Sequence, residues 1–174
     1  MKTHNLTTVI AAFAAVSSFA CALAGSTQTV AFTATVPQVL ELSATQASVS
    51  IAMSSSDYAS SAAITKDAAA AHSLSVRSNR PWQITAVTDA STFRFTPLNA
   101  GDTRNKPSTD LSIRKSGGTY APLSTSSSVV ASGTSGGAGM SGNTFSVDYK
   151  LATNIQLDPP GSYAINVVYI ASTP

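Results

Sequence analysis

The side chains of this chain that could perform catalysis are few and scattered. His72 is the only histidine after residue 4, and Glu41 is the only glutamate. A nucleophilic triad would have to combine His72 with one of many serines, and spacing does not indicate such a triad because geometry defines it. His72 falls inside a predicted strand, where we expect a half-exposed side chain without a catalytic role.

Ligands for metal ions or phosphate groups are equally sparse. Zinc takes three or four His, Cys or carboxylate ligands, and calcium takes clustered carboxylates, whereas the aspartates are spread along the chain. The glycines between 133 and 139 are not followed by the Lys-Ser/Thr and helix of a phosphate-binding loop. A single glutamate makes paired carboxylates for glycoside cleavage improbable. We therefore predict no catalytic residue, no metal site and no cofactor, in a protein that is not an enzyme.

Residues 1–24 have the pattern of a secretory signal peptide. Lys2 provides a basic start, residues 9–16 are an apolar run too short to cross a bilayer, and Ala22-Leu23-Ala24 is a small-x-small cleavage motif. A membrane anchor at this end and lipidation at Cys21 are less favoured alternatives. Cleavage after Ala24 would leave residues 25–174 with no cysteine and no transmembrane segment, so that the core and hydrogen bonds alone hold the fold.

The charge of the chain argues against a nucleic-acid partner. Ten Lys and Arg residues face eight Asp and Glu residues, which gives a net charge of +2 without a basic stripe. Only 10% of the residues are charged, and Ser, Thr and Ala are abundant. This composition suits an extracellular β-protein, or a surface that packs against copies of itself.

Alternation of apolar and polar residues predicts short β-strands along most of the chain. The predicted strands are residues 29–36, 48–53, 72–77, 82–88, 92–96, 110–115, 143–151 and 162–170. Residues 54–71 are interpreted as a loop with one helical turn, and 124–142 as a flexible Ser/Gly loop with a brief pairing at Val129-Val130. Trp82 is in phase with Ile84, which places it in the core. Together these patterns predict an all-β fold, an antiparallel β-sandwich of about eight strands, with a closed barrel as the alternative.

The predicted strand at 29–36 stands out because it begins shortly after the cleavage motif. Val30, Phe32, Ala34 and Val36 share one face of it. It could pair within its own sheet or with a neighbouring molecule. Pro37 lacks a backbone donor and interrupts any ladder. We therefore divide the chain into a signal peptide at 1–24, a donor-type strand at 25–37 and a single sandwich domain at 38–174.

The two ends of this sandwich resemble a known family. The strand at 29–36 followed by PQVLEL at 37–42, and the end PGSYAINVVY at 160–169, are similar to the termini of alpha-class, colonisation-factor-type chaperone–usher fimbrial subunits. Secreted spore-coat-U-like sandwiches end in a similar Gly-x-Tyr strand. The resemblance covers only the termini, and the sequence departs from it at Ile165, where the family has Gly.

That resemblance implies an immunoglobulin-like sandwich that donor-strand exchange completes. The Val30, Phe32, Ala34 and Val36 side chains would enter a groove of the next subunit. The closing strand carries Tyr163, Ile165, Val167 and Tyr169 on one face.

The implied function is that of a structural subunit of a pilus or pilin-like surface fibre that supports adhesion or biofilm. Its partners would be copies of itself in a head-to-tail polymer, together with a periplasmic chaperone and an outer-membrane usher. It would be secreted through the periplasm to the cell surface. The alternative is a self-complete secreted sandwich that binds cell-wall glycan or another surface ligand through Trp82 or tyrosines, and a secreted hydrolase is a third candidate.

Overall fold

The computed structural model describes residues 28–174, which form ten β-strands and two short 3-10 helices. The strands are β1 Leu40–Ala44, β2 Ala63–Ser78, β3 Trp82–Thr88, β4 Arg94–Pro97, β5 Leu111–Lys115, β6 Ala121–Pro122, β7 Ser128–Gly133, β8 Thr144–Asn154, β9 Gly161–Ala164 and β10 Val167–Ser172. The 3-10 helices are Ser55–Tyr58 and Ser108–Asp110. The predicted signal peptide lies outside the described residues. Residues from Val36 to Pro174 form one compact unit, to which the described residues 28–35 do not belong.

The strands pair in an exclusively antiparallel pattern within the described chain. One sheet has the order β1-β2-β8-β5-β6, a second has the order β10-β3-β7, and β4 pairs with β9. This topology confirms the predicted all-β fold and is that of an antiparallel sandwich, with ten strands where about eight were predicted. Six of the eight predicted strands form, and the C-terminal one is divided into two, which gives seven. The short strands β1, β6 and β7 complete the ten.

The core lies between the five-stranded sheet and the β10-β3-β7 sheet. Leu74 on β2 and Val147 on β8 face Ile84 on β3, and all three side chains are fully buried. Trp82 is also fully buried, and its ring stacks on Phe145 with centroids 6.3 Å apart. Each such side chain contributes about 1.5–3 kcal/mol through burial. The predicted core position of Trp82 is confirmed.

The interpretation of residues 63–71 as a loop is wrong. A 3-10 turn does form at Ser55–Tyr58, but β2 already begins at Ala63 and pairs with β8 through Ile64↔Thr153 and Ala68↔Tyr149. Alanine has little β-propensity, so long-range pairing overrides the local preference here. The register then shifts between Ala68 and His72, and Ala70 adopts a φ of 47° at this irregularity.

The interpretation of residues 124–142 as one flexible loop is also wrong in part. Ser128–Gly133 forms β7, which pairs with β3 and extends well beyond Val129-Val130. Gly133 makes this possible because a Cβ at that position would lie 2.4 Å from Cζ2 of Trp82. The missing side chain lets the β7 backbone lie directly against the indole ring.

The predicted C-terminal strand at 162–170 is interrupted at Ile165 and Asn166. β9 pairs with β4, whereas β10 pairs with β3, so the ladder changes partner at this point. Asp89, in the connection between β3 and β4, holds the break: its Oδ1 accepts the Asn166 backbone N–H at 3.1 Å, and its Oδ2 accepts the side-chain amide at 2.7 Å. β3 ends at Thr88, which pairs with Val167, so the C-terminal strand has no β3 residue to pair with before Val167 and is interrupted there.

We expect Gly133→Ala to lower the free energy of unfolding by about 1–3 kcal/mol, because the added methyl group would force Trp82 or β7 to move. Gly139→Ala is the matched control, since a Cβ there has no neighbour within 4 Å. Urea unfolding midpoints of the two variants measure the difference. Equal midpoints would show that the contact between Gly133 and Trp82 is not tight.

Candidate functional site

The segment at 28–36 is extended but belongs to no strand of the described chain. Val30 is 85% exposed, Phe32 is 90% exposed and Val36 is 79% exposed, and Ala34 is exposed as well. The prediction of a strand at 29–36 is therefore wrong for the chain taken alone, because no described residue pairs with it. Large apolar side chains are usually buried, and a continuous exposed row of them indicates an interaction surface.

The Asn79 side chain fixes the backbone at Pro37 and Val39, just before β1. The Asn79 side-chain amide donates to the Pro37 carbonyl at 2.7 Å, and its Oδ1 accepts the Val39 N–H at 2.9 Å. The Asn79 backbone N–H donates to the Val39 carbonyl at 3.3 Å. From Leu40 onward β1 pairs with β2. The change from unpaired to paired backbone thus falls at the proline that was predicted to separate the two.

The predicted closing-strand residues lie together along one side of an apolar groove. Tyr163 is on β9, Ile165 is at the break, and Val167 and Tyr169 are on β10; all four are half-buried and pack against the core. Among the described strands, β9 pairs only with β4 and β10 only with β3. The structure therefore brings these four side chains together beside a free sheet edge.

The groove has a volume of about 1190 Å³. Residues 46–53, residues 159–167 and Tyr169 line it. Phe93, Leu111, Tyr149 and Leu151 also contribute to the lining. Its volume exceeds the ~300–1,000 Å³ of typical small-molecule pockets. Size and apolar character together suit a polypeptide segment better than a small ligand.

Residues 48–53, predicted to be a strand, form none in the structure. Val49, Ile51 and Met53 nevertheless line the groove. The predicted apolar face therefore exists, but the segment pairs with no described strand. The sequence therefore indicated an apolar row here without revealing that the row borders a cavity.

His72 lies in the groove lining and is buried, 5% exposed, where a half-exposed side chain was predicted. On β2 the His72 ring shares the buried face of Leu74 and Val76, and it lies 5.7 Å from the Tyr149 ring and 5.4 Å from the Tyr169 ring. Neither ring nitrogen has a hydrogen-bond partner among the described residues. Burial lowers the pKa of His72, so the ring is neutral at neutral pH. No serine or carboxylate contacts it as a catalytic relay requires.

A buried charge cluster contributes Lys106 and Asp158 to the lining of the groove. Lys106 is 1% exposed, and its Nζ donates to Asp158 at 2.7 Å and to Asp110 at 2.8 Å. Arg104 Nε donates to the second oxygen of Asp158 at 2.8 Å. Burial by itself would raise the pKa of Asp158, but hydrogen bonds from Lys106, the Asn154 N–H and Arg104 hold it below its ordinary value. Only the four-residue spacing of Lys106 and Asp110 could have indicated this cluster from the sequence.

Comparison with known proteins adds no identification. No protein-family model matches the sequence, and no curated protein is significantly similar to it. Within residues 28–174, no group of three or more His, Cys, Asp or Glu side chains is arranged to hold a metal ion. The same residues include no helix of the length and apolar character needed to cross a membrane. The resemblance to fimbrial subunits stays a prediction, and the groove must be interpreted from its geometry.

We expect the free energy of unfolding to decrease as the pH falls below about 6.5, the ordinary pKa of histidine. The unfolded chain then binds a proton that the buried His72 resists, so stability rises with pH in this range and levels off above it. The slope is at most about 1.4 kcal/mol per pH unit. Urea unfolding at several values between about pH 7.5 and 5.5 measures it.

His72→Phe is the matched variant, because it keeps a buried ring and removes the titrating group. It should flatten the pH dependence, and no other histidine is present in residues 28–174. An unchanged slope in His72→Phe would show that other groups cause the dependence.

Proposed function

We propose that this protein is a secreted, non-enzymatic subunit of a pilus-like surface fibre, assembled by donation of residues 29–36 to the groove of the next copy. One observation supports this assembly: within residues 28–174, an exposed apolar segment belongs to no strand, and an apolar groove lies beside a sheet edge that pairs with no described strand. A second copy supplies what each of them lacks.

The donated segment has the alternating pattern of a strand with one apolar face. An eight-residue strand is about 26 Å long, and it would present Val30, Phe32, Ala34 and Val36 to the groove. Thr29, Thr33 and Thr35 would stay on the solvent side. Burial of the four apolar side chains supplies on the order of 5–8 kcal/mol before ordering costs. Backbone hydrogen bonds to the free edge of the sheet add to this, as in other cases of strand addition.

Donation of this kind produces a filament. The contact joins two different surfaces, so it is heterologous and does not close on itself. No covalent link is needed, and the chain has no cysteine after Cys21 to form one. Passage through the periplasm with a chaperone and an outer-membrane usher, and a role in adhesion or biofilm, are the parts of the proposal that the family resemblance supplies.

Binding of a glycan is less well supported as a function. Trp82 is fully buried against Phe145, so its ring faces are not available to stack on a sugar. The tyrosines Tyr149 and Tyr169 are engaged with one another through a 2.6 Å hydroxyl–hydroxyl hydrogen bond. The groove therefore offers apolar surface rather than the exposed aromatic platform that sugar binding uses.

We expect Phe32→Asp to abolish polymer formation, because it replaces the largest donated side chain with a charge that would be unpaired in the groove. Affinity between copies should fall at least about a hundredfold, or roughly 3 kcal/mol. The phenylalanine is 90% exposed, so folding of the monomer should be unaffected. Light scattering during size-exclusion chromatography at increasing concentrations, together with electron microscopy, measures polymer length.

Thr33→Asp is the matched control, since it introduces the same charge on the opposite face of the segment. It should polymerise like the unmodified chain. Filaments of equal length from Phe32→Asp would contradict strand donation, as would a secreted unmodified chain that stays monomeric at every concentration.

A further inference from the structure

We propose that Lys106 and Asp158 form an amide cross-link inside the domain, and that Asp110 transfers a proton between them. The bond joins the side-chain nitrogen of the lysine to the side-chain carboxyl carbon of the aspartate and releases one water. It lies within one copy of the chain, so it does not depend on strand donation between copies. The domain would thereby gain a covalent link, although the chain has no cysteine after Cys21.

The first observation is that an amine is buried between two carboxylates. Lysine is almost never fully buried unless it is paired, and Lys106 is 1% exposed. Its Nζ lies 2.7 Å from Asp158 Oδ2 and 2.8 Å from Asp110 Oδ2. The Asp158 side chain is 6% exposed, so both groups of the proposed bond are shielded from water. A buried ion pair carries a large desolvation cost, whereas an amide in its place carries no charge.

The second observation is that the backbone holds both reacting residues in place. The Phe93 N–H donates to the Lys106 carbonyl at 2.8 Å. The Asp158 N–H donates to the Asn154 carbonyl at 2.7 Å, and the Asn154 N–H donates to Asp158 Oδ2 at 3.0 Å. Groups held in contact in this way react with effective molarities of about 10⁵–10⁸ M. That advantage offsets the competition from water, which favours the separate amine and acid.

The reaction can begin from the ion pair without another reactant. A proton first moves along the 2.7 Å hydrogen bond from Lys106 Nζ to Asp158 Oδ2, which leaves a neutral amine beside a neutral acid. The Nζ lone pair then attacks Asp158 Cγ, and negative charge develops on Oδ1. Arg104 Nε donates to this oxygen at 2.8 Å, so the guanidinium stabilises the intermediate.

Asp110 completes the proton transfers. Its Oδ2 accepts a second proton from Nζ across 2.8 Å and delivers it to Asp158 Oδ2. The bond between Cγ and Oδ2 breaks, and this oxygen leaves with both protons as water. The third proton stays on the amide nitrogen, and the charges of Lys106 and Asp158 cancel, so atoms and charge balance. Both aspartates and Lys106 also line an open pocket of about 490 Å³, through which the water can leave.

The position of the bond would strengthen a domain that carries tension. Lys106 lies between β4 and β5, and Asp158 lies between β8 and β9. A link between them closes residues 107–157, with β5 to β8, into a loop that cannot be extended by pulling on the ends of the chain. In the fibre proposed above, force passes through every domain, so each link would limit how far its domain extends.

Peptide mass spectrometry of the purified chain tests the bond directly. Trypsin cuts after Lys and Arg but not before Pro, so it leaves Lys106 inside peptide 105–114 and Asp158 inside peptide 151–174. We expect one joined species, lighter than the sum of the two peptides by about 18 Da, the mass of one water. Both peptides in free form, from a chain that circular dichroism shows to be folded, would overturn the proposal. Loss of the same mass within peptide 105–114 alone would also overturn it, since the bond would then join Lys106 to Asp110.

The pair of Lys66 and Asp57 is the matched control within the same chain. Its nitrogen and oxygen are 2.7 Å apart, as in the buried pair, but the two side chains are 36% and 25% exposed. Solvation keeps both groups charged, so Lys66 should stay free. Trypsin should then cut after Lys66 and release peptide 67–77.

The variant Asp110→Asn tests the proton transfer, because it keeps the size of the side chain and removes the acceptor. General acid–base catalysis contributes about 10²–10⁴ in rate, so this variant should contain mostly free peptides at purification and join them slowly on incubation. Full joining at purification would overturn the role of Asp110. The result for the unmodified chain decides the cross-link by itself, and polymer formation, which Phe32→Asp tests, is a separate measurement.

Discussion

Backbone hydrogen bonding at the edge of β9 and β10 is the constraint on which the described domain depends. A sandwich buries its core only when both layers are wide enough, and here the layer that contains β10 has three strands against five in the other. Val167 and Tyr169 are half-buried, although their alternation is that of core residues. In the proposed assembly, the groove is a strand position that a segment of the next copy fills.

The polar groups around the groove fit an occupant whose face is wholly apolar. Lys106 and Asp158 form an ion pair with each other, so neither needs a partner from an incoming segment. The His72 ring nitrogens have no hydrogen-bond partner among the described residues, but burial lowers the pKa of His72 and keeps the ring neutral. Covering a neutral ring costs less free energy than covering a charged one. A segment that presents Val30, Phe32, Ala34 and Val36 has no group on that face that could pair with a charge. It needs none, because Lys106 and Asp158 already pair with each other.

Alternation predicted most of the sandwich because strands such as β3 bury every second residue and leave the others half-buried, and Trp82 follows that rule directly. It failed for residues 63–71 because alanines carry no period, and their pairing with β8 is decided by distant residues. It failed at 162–170 because the break at Asn166 depends on Asp89, far away in the sequence. For His72 the alternation was sufficient to predict burial, because His72 shares the face of Leu74 and Val76 on β2.

The remaining disagreements have a different character. Residues 29–36 and 48–53 have strand patterns as clear as those of β3, yet neither forms a strand among the described residues. Weak propensity cannot explain both, because Val, Phe, Ile and Thr favour strands. Both lack only a partner, and the free edge of β10 lacks one too. Local rules that fail together around one groove are expected where function requires the chain to be incomplete. A free apolar edge is also an aggregation hazard, and the proposed head-to-tail donation would remove that hazard along a fibre, because each copy would fill the groove of the next.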